Sequence, residues 1–214
     1  MSFPKIERKY VIETYEKIAS QFDDTRYSVW PSVKRFLNSL ESNSLLFEAG
    51  CGNGKNLFYR KDLVPYGCDI SQNLVNIAKA KNRENSIQIG DLFLGDITNL
   101  PKSYTNFFDN TMSVAVIHHL STKKRRQKAI SELIRVTKPG GRILIQVWSQ
   151  KDETDEQDSF IPFKNKFSGN VIAERYYHLF KIGELDELLE PFNKITKENI
   201  FFEKDNFGVI LQKN

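Results

Sequence analysis

The sequence predicts an α/β fold of the Rossmann-like class: a seven-stranded, mostly parallel sheet with one antiparallel strand and helices on both faces. Three observations predict it. Short apolar runs alternate with amphipathic segments of helical length, which is the pattern of a parallel sheet covered by helices. A glycine-rich turn follows the first apolar run. The chain closes on two strand-like runs joined by a short polar turn, which is a hairpin signal and makes one strand antiparallel.

The elements follow in order along the chain. Residues 4–20 and 31–40 are predicted to be helical and precede the first strand. Residues 71–81 have a serine N-cap and one apolar face, and residues 122–136 form a second amphipathic helix that a Pro-Gly-Gly sequence ends. The predicted buried strands are residues 45–49, 63–68, 86–89 with 92–94, 111–117 and 142–148, and the predicted hairpin is 193–203 with 206–212.

Composition fits one globular domain. The chain has 214 residues, 40% of them apolar and 27% charged, which excludes a predominantly disordered protein. No run approaches the ~18 apolar residues of a membrane span, and the first residues lack the apolar core of a secretory signal, so we expect an intracellular chain away from membranes. Cys51 and Cys68 are too few for a disulfide scaffold or a zinc site, so no metal is expected on this chain. We divide the domain into an N-terminal helical lid (1–42), a core (43–148), a polar linker (149–170) and a C-terminal helix with the hairpin (171–214).

One segment is strongly basic. Residues 121–150 hold eight lysines and arginines against one acid, and an acidic stretch at 151–158 follows. The cluster from Lys123 to Lys128 lies at a helix start, where positive charge opposes the helix dipole, so helix stabilisation does not explain it. A solvated face and a phosphate contact are the two readings that remain.

The most specific motif is Glu48-Ala49-Gly50-Cys51-Gly52-Asn53-Gly54, directly after the first strand. Glycine there lets the backbone approach a ligand closely. Asp69 and Ile70 end the second strand, where a carboxylate can accept both hydroxyls of a ribose. A dinucleotide site prefers G-x-G-x-x-G, whereas E-x-G-x-G-x-G is typical of S-adenosylmethionine binding.

Two further segments extend this site. Asp96 with Ile97 follows the third strand region, where S-adenosylmethionine enzymes place an acid and an apolar residue on the adenine; Asp91 is the alternative acid. The fourth strand ends in Val116-Ile117-His118-His119, at the position that faces the reacting methyl. The sequence has no Asn/Asp-Pro-Pro-aromatic motif there, which enzymes that methylate exocyclic amines use.

With these motifs, the chain resembles the eukaryotic tRNA wobble-uridine methyltransferases that esterify 5-carboxymethyluridine in the anticodon. The resemblance runs from about residue 7 to the end. It departs from the family in a shortened segment before the Tyr-Tyr-His block, in Leu120 where an aromatic is common, and in Glu48 where Asp is frequent. The blocks that carry it are Thr25-Arg26-Tyr27-x-x-Trp30-Pro31, Glu48 to Lys55, Asp69-Ile70-Ser71, Val116-Ile117-His118-His119-x-Ser121-Thr122 with Arg125-Arg126, Arg175-Tyr176-Tyr177-His178-Leu179-Phe180, Gly183-Glu184-Leu185 and Phe202-Glu203-x-Asp205-Asn206.

The resemblance implies a carboxylate nucleophile, which is ionised at neutral pH and needs no general base. An arginine can hold it by a bidentate contact. Arg26 is the first candidate, with Tyr27 and Trp30 shaping the pocket or stacking on the base; a surface arginine in a lid is the alternative. A second set is Arg175, Tyr176, Tyr177 and His178, with His118 and His119 as hydrogen-bond donors between the two sets. Phosphate contacts are expected from Lys123, Lys124, Arg125 and Arg126.

The implied cofactor is S-adenosylmethionine, with S-adenosylhomocysteine as product. The implied partners are a tRNA anticodon stem-loop and a small zinc-binding activator protein that adds a strand to the third-strand edge around Gly90 to Leu94. We expect a cytoplasmic protein, with a nuclear pool allowed.

Two other functions stay open: methylation of a small carboxylic acid or phenol, and a non-catalytic RNA-binding subunit. The expected cofactor residues are Glu48, Gly50, Gly52, Gly54, Asp69, Ile70, Asp96, Ile97 and Val116.

Overall fold

A computed structural model describes residues 3–25, 27–85, 87–152 and 156–214. None of the helices in these ranges is long and apolar enough to cross a membrane. A π-helical turn, Arg8–Ile12, joins the first two helices. The helices are α1 (Lys5–Glu7), α2 (Glu13–Asp23), α3 (Pro31–Asn38), α4 (Gln72–Asn85), α5 (Lys123–Val136) and α6 (Glu184–Leu189). The strands are β1 (Leu45–Ala49), β2 (Val64–Asp69), β3 (Asp91–Leu94), β4 (Phe108–Val114), β5 (Thr137–Trp148), β6 (Asp158–Lys164), β7 (Val171–His178), β8 (Ile195–Phe202) and β9 (Asn206–Lys213).

Seven strands form the main sheet in the order β3-β2-β1-β4-β5-β9-β8. The pairings among β1 to β5 are parallel, and β9 runs antiparallel to both β5 and β8. The predicted sheet with one antiparallel strand is therefore confirmed. Its two edges are β3 and β8, so the closing hairpin lies at the opposite side from β3.

Helices cover both faces of this sheet, as predicted. Neighbouring residues of β1 point to opposite faces, so Leu46 and Phe47 belong to different apolar clusters. The Leu46 cluster contains residues of α3 and α4, and the Phe47 cluster contains residues of α5 and α6. Among the buried helix residues are Val33, Phe36, Leu37 and Ala78 on the first face and Ala129, Ile130, Leu133, Leu185 and Leu188 on the second.

Several strands differ from their predicted bounds, among them β5, which begins at Thr137 and not at residue 142. Residues 87–89 are not part of β3, which is only four residues long. β4 begins at Phe108 and ends at Val114, and Ile117–His119 is a 3₁₀ turn. Ala115, with a φ of 59°, ends the strand. The predicted strand was too long at this end because apolar residues continue from the strand into the turn that follows it.

The segment expected as a polar linker contains β6. This strand pairs antiparallel with β7 in a separate two-stranded sheet. Residues 153–155 of the acidic stretch lie outside the described ranges. The hairpin packs on the N-terminal helices through Phe163 and Tyr176, which cluster with Tyr15 and Ile18. The sequence did not predict β6, because this strand is half exposed and contains Pro162, and a proline argues against a strand.

Candidate active site

A cavity of about 400 Å³ opens where β1, β2 and β4 end. Ligands of open α/β sheets bind at this edge, because loops leave the parallel strands there. Helices α1 and α2 cover the cavity from one side, and β7 closes another. Described residues that line it include Glu7, Val11 and Tyr15 from the helices, Glu48, Asp69, Asp96 and Val116 from the strand ends, and Arg175 and Tyr177 from β7.

The glycine loop has a backbone that favours glycine. Gly50 has a φ of 81°, and a Cβ there would lie 2.3 Å from a methyl group of Val116. Gly52 has a φ of 54°, and its N–H donates to Oδ2 of Asp69 at 2.8 Å. Gly54 also has a positive φ, 78°, but does not line the cavity; a Cβ there would clash with Phe58. Gly50 and Gly52 thus form the cavity floor, and Gly54 supports the turn behind it.

Asp69 holds this loop against the end of β2. Its Oδ1 accepts the N–H of Ser71 at 3.0 Å while Oδ2 accepts that of Gly52. The side chain is buried, and burial raises the pKa of the carboxyl while the backbone hydrogen bonds oppose the rise. A carboxylate has about four acceptor positions, so the backbone hydrogen bonds do not use all of them. Ile70 lines the cavity beside it.

Glu48 is a buried acid with half of its carboxyl group unpaired. Oε1 accepts the amide N–H of Asn56 at 2.7 Å, and Oε2 has no hydrogen-bond partner among the described residues. Burial raises the pKa of Glu48 to about 8. Since the residue lines the cavity, its free oxygen suits a ligand that brings an N–H donor or a positive charge.

We expect the Glu48→Gln variant to lose part of the pH dependence of stability. Because the folded-state pKa is raised, the native protein binds more protons than the unfolded chain between about pH 4.5 and pH 8, and stability falls as pH rises through that window. Thermal unfolding at pH 5 and pH 8 without ligand measures this: the Tm drop of the wild type, several degrees, should shrink in the variant. Some slope remains because the pKa of Asp69 is raised in the same direction. Equal slopes in the two proteins would contradict a buried, protonated Glu48.

An arginine connects the helical cover to the third-strand side of the cavity. Arg125 donates from Nε to both oxygens of Glu7, at 3.0 and 2.9 Å, and from Nη2 to Asp96 at 3.2 Å. Glu7 also accepts the N–H of Ser121 at 2.8 Å. Asp96 and Ile97 line the cavity, whereas Asp91 does not. Arg125, expected on phosphates, is instead part of the cavity wall.

The two histidines have different environments. Nδ1 of His119 lies 2.7 Å from the carbonyl of Tyr176, which can only accept, so Nδ1 carries the hydrogen and Nε2 accepts from the Tyr15 hydroxyl at 2.9 Å. Burial lowers the pKa of His119 to about 3, so the ring is neutral and directs the Tyr15 hydroxyl. His118 is fully buried, accepts the N–H of Trp148 on Nδ1 at 3.1 Å and does not line the cavity. The expected direct ligand contact of His118 is therefore replaced by a packing role against Tyr177, whose ring lies 4.7 Å away.

Arg175 brings a positive charge into the cavity. It is 5% exposed, and its Nε and Nη1 have no hydrogen-bond partner among the described residues. Its guanidinium carbon lies 5.3 Å from the ring centres of Phe163 and Tyr177. Aromatic rings attract the cation, yet they do not accept its N–H groups in the way that oxygen does. The site therefore offers two buried donors to an anion.

Several predicted residues do not reach the cavity. Tyr176 is buried, and its hydroxyl donates to Asp158 at 2.6 Å. The ring nitrogens of His178 lie 2.8 Å from Asp158 and 2.6 Å from Glu184. Arg126, expected on phosphates, is buried, donates to the carbonyl of Leu120 and lies 3.8 Å from Glu184. Lys123 and Lys124 are exposed at the start of α5, away from the cavity lining. Arg26 lies outside the described residues.

The mouth of the cavity is aromatic. Tyr27 is 85% exposed, Trp30 is partly buried, and both line the cavity. The ammonium of Lys55 lies 5.5 Å from the centre of the Trp30 ring. Sequence reasoning missed Glu7, Tyr15 and Trp148. The end of β5 at Trp148 could have been found, because ends of parallel strands meet at one edge; Glu7 and Tyr15 sit in helices that give no such signal.

Comparison with known proteins places this geometry in a family. A methyltransferase domain family matches residues 47–145. The chain is 35% identical to the tRNA (carboxymethyluridine(34)-5-O)-methyltransferase of Schizosaccharomyces pombe, over 97% of this chain and 98% of that protein. It is 44% identical to the Arabidopsis thaliana protein of the same name over 78% of this chain, but that match spans only 39% of the Arabidopsis protein.

A solved structure shares the fold. The methyltransferase in the complex with the Haloferax volcanii Trm112 methyltransferase activator superimposes with a TM-score of 0.70 at 15% identity, over 95% of this chain and 97% of that one. At that identity the likeness concerns the fold alone. The near full-length match to the fission-yeast protein concerns the family: the chain belongs to the tRNA (carboxymethyluridine(34)-5-O)-methyltransferases.

Proposed function

We propose that this chain methylates the carboxylate of 5-carboxymethyluridine at the tRNA wobble position, with S-adenosylmethionine as donor and the methyl ester and S-adenosylhomocysteine as products. Family membership supports the reaction. The observation that carries the substrate assignment is Arg175, a buried cation in the cavity with two unpartnered donors. A neutral phenol would leave this charge uncompensated, whereas a carboxylate pairs with it.

The residues present fit S-adenosylmethionine. Gly50 and Gly52 leave room for close backbone approach, Asp69 keeps acceptors for the ribose hydroxyls, and the free oxygen of Glu48 suits the amino group of the methionine part. Asp96 is proposed to accept from the adenine amine, with Ile70, Ile97 and Val116 as its apolar surroundings. When bound, S-adenosylmethionine supplies an electrophilic methyl group.

The chain's own residues then have to hold an anion and exclude water. A carboxylate is ionised at neutral pH, so no base is required, which agrees with His119, whose lowered pKa makes it a weak base. Arg175 is proposed to hold one edge of the carboxylate while leaving an oxygen lone pair for attack. Tyr15, directed by His119, is proposed to close the site together with the other described residues of the N-terminal lid. Arg26 remains the second candidate for the carboxylate.

Mass spectrometry of nucleosides tests the function directly. Unmethylated tRNA carrying 5-carboxymethyluridine is incubated with the protein and with S-adenosylmethionine labelled in its methyl group, then digested. The expected product is labelled 5-methoxycarbonylmethyluridine. Labelling of an added small carboxylic acid or phenol but not of tRNA would support the small-molecule alternative, and absence of any label with intact tRNA binding would support the non-catalytic subunit.

The exposed edge of β3 is the proposed contact for a small zinc-binding activator protein. β3 is an edge strand, and Leu94 is 53% exposed on it. An uncovered apolar edge promotes aggregation, and an added strand removes it. The Haloferax volcanii methyltransferase, which was solved in complex with an activator, shares the fold with this chain and supports the proposal only at that level.

We expect Leu94→Lys to break this complex and Phe93→Asp to do so as well. Co-purification and size-exclusion chromatography of the co-expressed proteins measure it, and the chain expressed alone should be poorly soluble or weakly active. Leu94→Lys is the cleaner variant, because the Phe93 ring stacks on Phe47 in the core. Ile200→Lys is the matched control: Ile200 is 54% exposed on β8, the opposite edge of the sheet. A monodisperse, fully active chain without a partner would contradict the proposal.

A further inference from the structure

The turn between β6 and β7 presents an aromatic ring to solvent. Phe167 is 91% exposed, and Val171 at the start of β7 is 55% exposed. A single exposed apolar side chain is ordinary on a protein surface. The charge around Phe167, its backbone and its position relative to the cavity make this turn different.

The backbone of the turn is well tied. Oδ1 of Asn165 accepts the N–H groups of Phe167 and Ser168, each at 2.9 Å. The N–H of Asn165 donates to the carbonyl of Asn170 at 2.8 Å, and Gly169 takes a φ of 72°. These bonds fix the direction in which Phe167 leaves the turn, so the ring is held in solvent by the local structure.

The charged side chains of the turn itself are all positive. Lys164 and Lys166 are exposed on the turn, and the sequence from 164 to 171 contains no acid. A third ammonium, that of Lys17 on α2, donates to the carbonyl of Ile172 at 2.9 Å. An aromatic face among cations is the combination that binds single-stranded nucleic acid, because bases stack on the ring while phosphates pair with the lysines.

The turn is also anchored beside the mouth of the cavity. The side-chain amide of Asn165 donates to Gln21 at 3.1 Å. The next residue of α2, Phe22, lines the cavity, and so does the exposed Tyr27 that follows the helix. We therefore expect the chain neighbours of a nucleotide held in the cavity to lie on the side of α2 that carries this turn.

We infer that the β6–β7 turn binds unpaired anticodon-loop nucleotides next to the one held in the cavity, by stacking on Phe167 and by phosphate contacts of Lys164 and Lys166. The inference rests on the proposed function, since it assumes an RNA substrate. Beyond the proposed function, it assigns the surface that binds the anticodon loop.

The inference is tested by fluorescence anisotropy with a labelled anticodon stem-loop. The protein is the full chain, together with the activator if the two are co-expressed. Phe167→Ala should weaken binding about 5- to 150-fold, as for loss of one base stack, and Phe167→Trp should retain it. Lys166→Ala should reduce the slope of log affinity against log salt by about 0.7. In methyl transfer, the KM for the stem-loop should rise in Phe167→Ala while kcat and the S-adenosylmethionine Kd stay unchanged. Controls are Ile182→Ala, whose side chain is 87% exposed beyond the other end of β7, and Lys194→Ala, an exposed lysine at the start of β8.

Unchanged stem-loop affinity in Phe167→Ala would overturn the inference, and so would an equal loss in Ile182→Ala. Loss of activator binding with RNA affinity retained would overturn it too, because the turn would then be a protein contact. The proposed function fails separately: wild-type protein that binds the stem-loop but forms no ester would refute the reaction, while the anisotropy series would still decide the role of Phe167.

Discussion

Replacing Arg175 with glutamine is expected to abolish ester formation while S-adenosylmethionine binding survives. Arg175 is 5% exposed, with two nitrogens, Nε and Nη1, that have no hydrogen-bond partner among the described residues. Removing one partner of a buried, hydrogen-bonded charge pair costs about 2–5 kcal/mol, which corresponds to a loss of about 30- to 5,000-fold in kcat/KM for the modified tRNA. Arg175→Lys should rescue poorly, because an ammonium lacks the planar pair of donors.

The stability of the same variant separates a substrate contact from a structural role. Without substrate, Arg175 is a buried cation for which no ion pair is found in the described part of the chain, so Arg175→Gln should leave the Tm unchanged or raise it. A structural arginine would lower the Tm. The matched control is Arg35→Gln: Arg35 is largely exposed and pairs with Glu203, so activity and Tm should both hold. Near-normal turnover in Arg175→Gln, with turnover lost in Arg26→Ala, would transfer the carboxylate contact to Arg26.

The sheet and the cofactor side of the site could be predicted because their signals are local. A strand that is buried on both faces reads as an apolar run, and the E-x-G-x-G-x-G spacing fixes where the backbone turns. Gly50 and Gly52 both take a positive φ beside the cavity, whereas the close approach to a ligand stays a prediction. Asp69 belongs to the same local pattern, because it ends the strand next to this turn.

The positions of the charged residues could not be predicted, because they depend on contacts between distant segments. Arg125 and Arg126 are adjacent in a basic run, yet one pairs with Glu7 across 118 positions and the other is buried against Glu184. His118 and His119 are also adjacent, and only His119 lines the cavity. Adjacent side chains on a turn or at a helix start point in different directions. The sequence prediction did not resolve these directions and therefore assigned both members of each pair the same role.

The lid and the adenine side of the cavity are connected through one side chain. Arg125 contacts Glu7 of α1 and Asp96 after β3 at the same time. Glu7 is 3% exposed and carries further bonds from Ser121, so the helical cover is attached to the sheet by charge-assisted hydrogen bonds. Since Asp96 is the proposed adenine contact, we expect cofactor binding to act on the same arginine that holds α1.

The second large effect is expected for Asp69→Ala, which should weaken S-adenosylmethionine binding by about 1.5–3 kcal/mol, or about 10- to 150-fold. The carboxylate is the proposed acceptor for the ribose hydroxyls, and it also ties the N–H groups of Gly52 and Ser71 into the loop that forms the cavity floor. Asp69→Asn keeps one acceptor oxygen and should fall between the wild type and the alanine variant. Isothermal titration calorimetry measures the affinity, and circular dichroism checks that each variant is folded. Asp91→Ala is the control, because Asp91 does not line the cavity and its loss should leave the affinity as it is. If folded Asp69→Ala bound the cofactor as tightly as Asp91→Ala does, the ribose contact would have to be assigned to another residue.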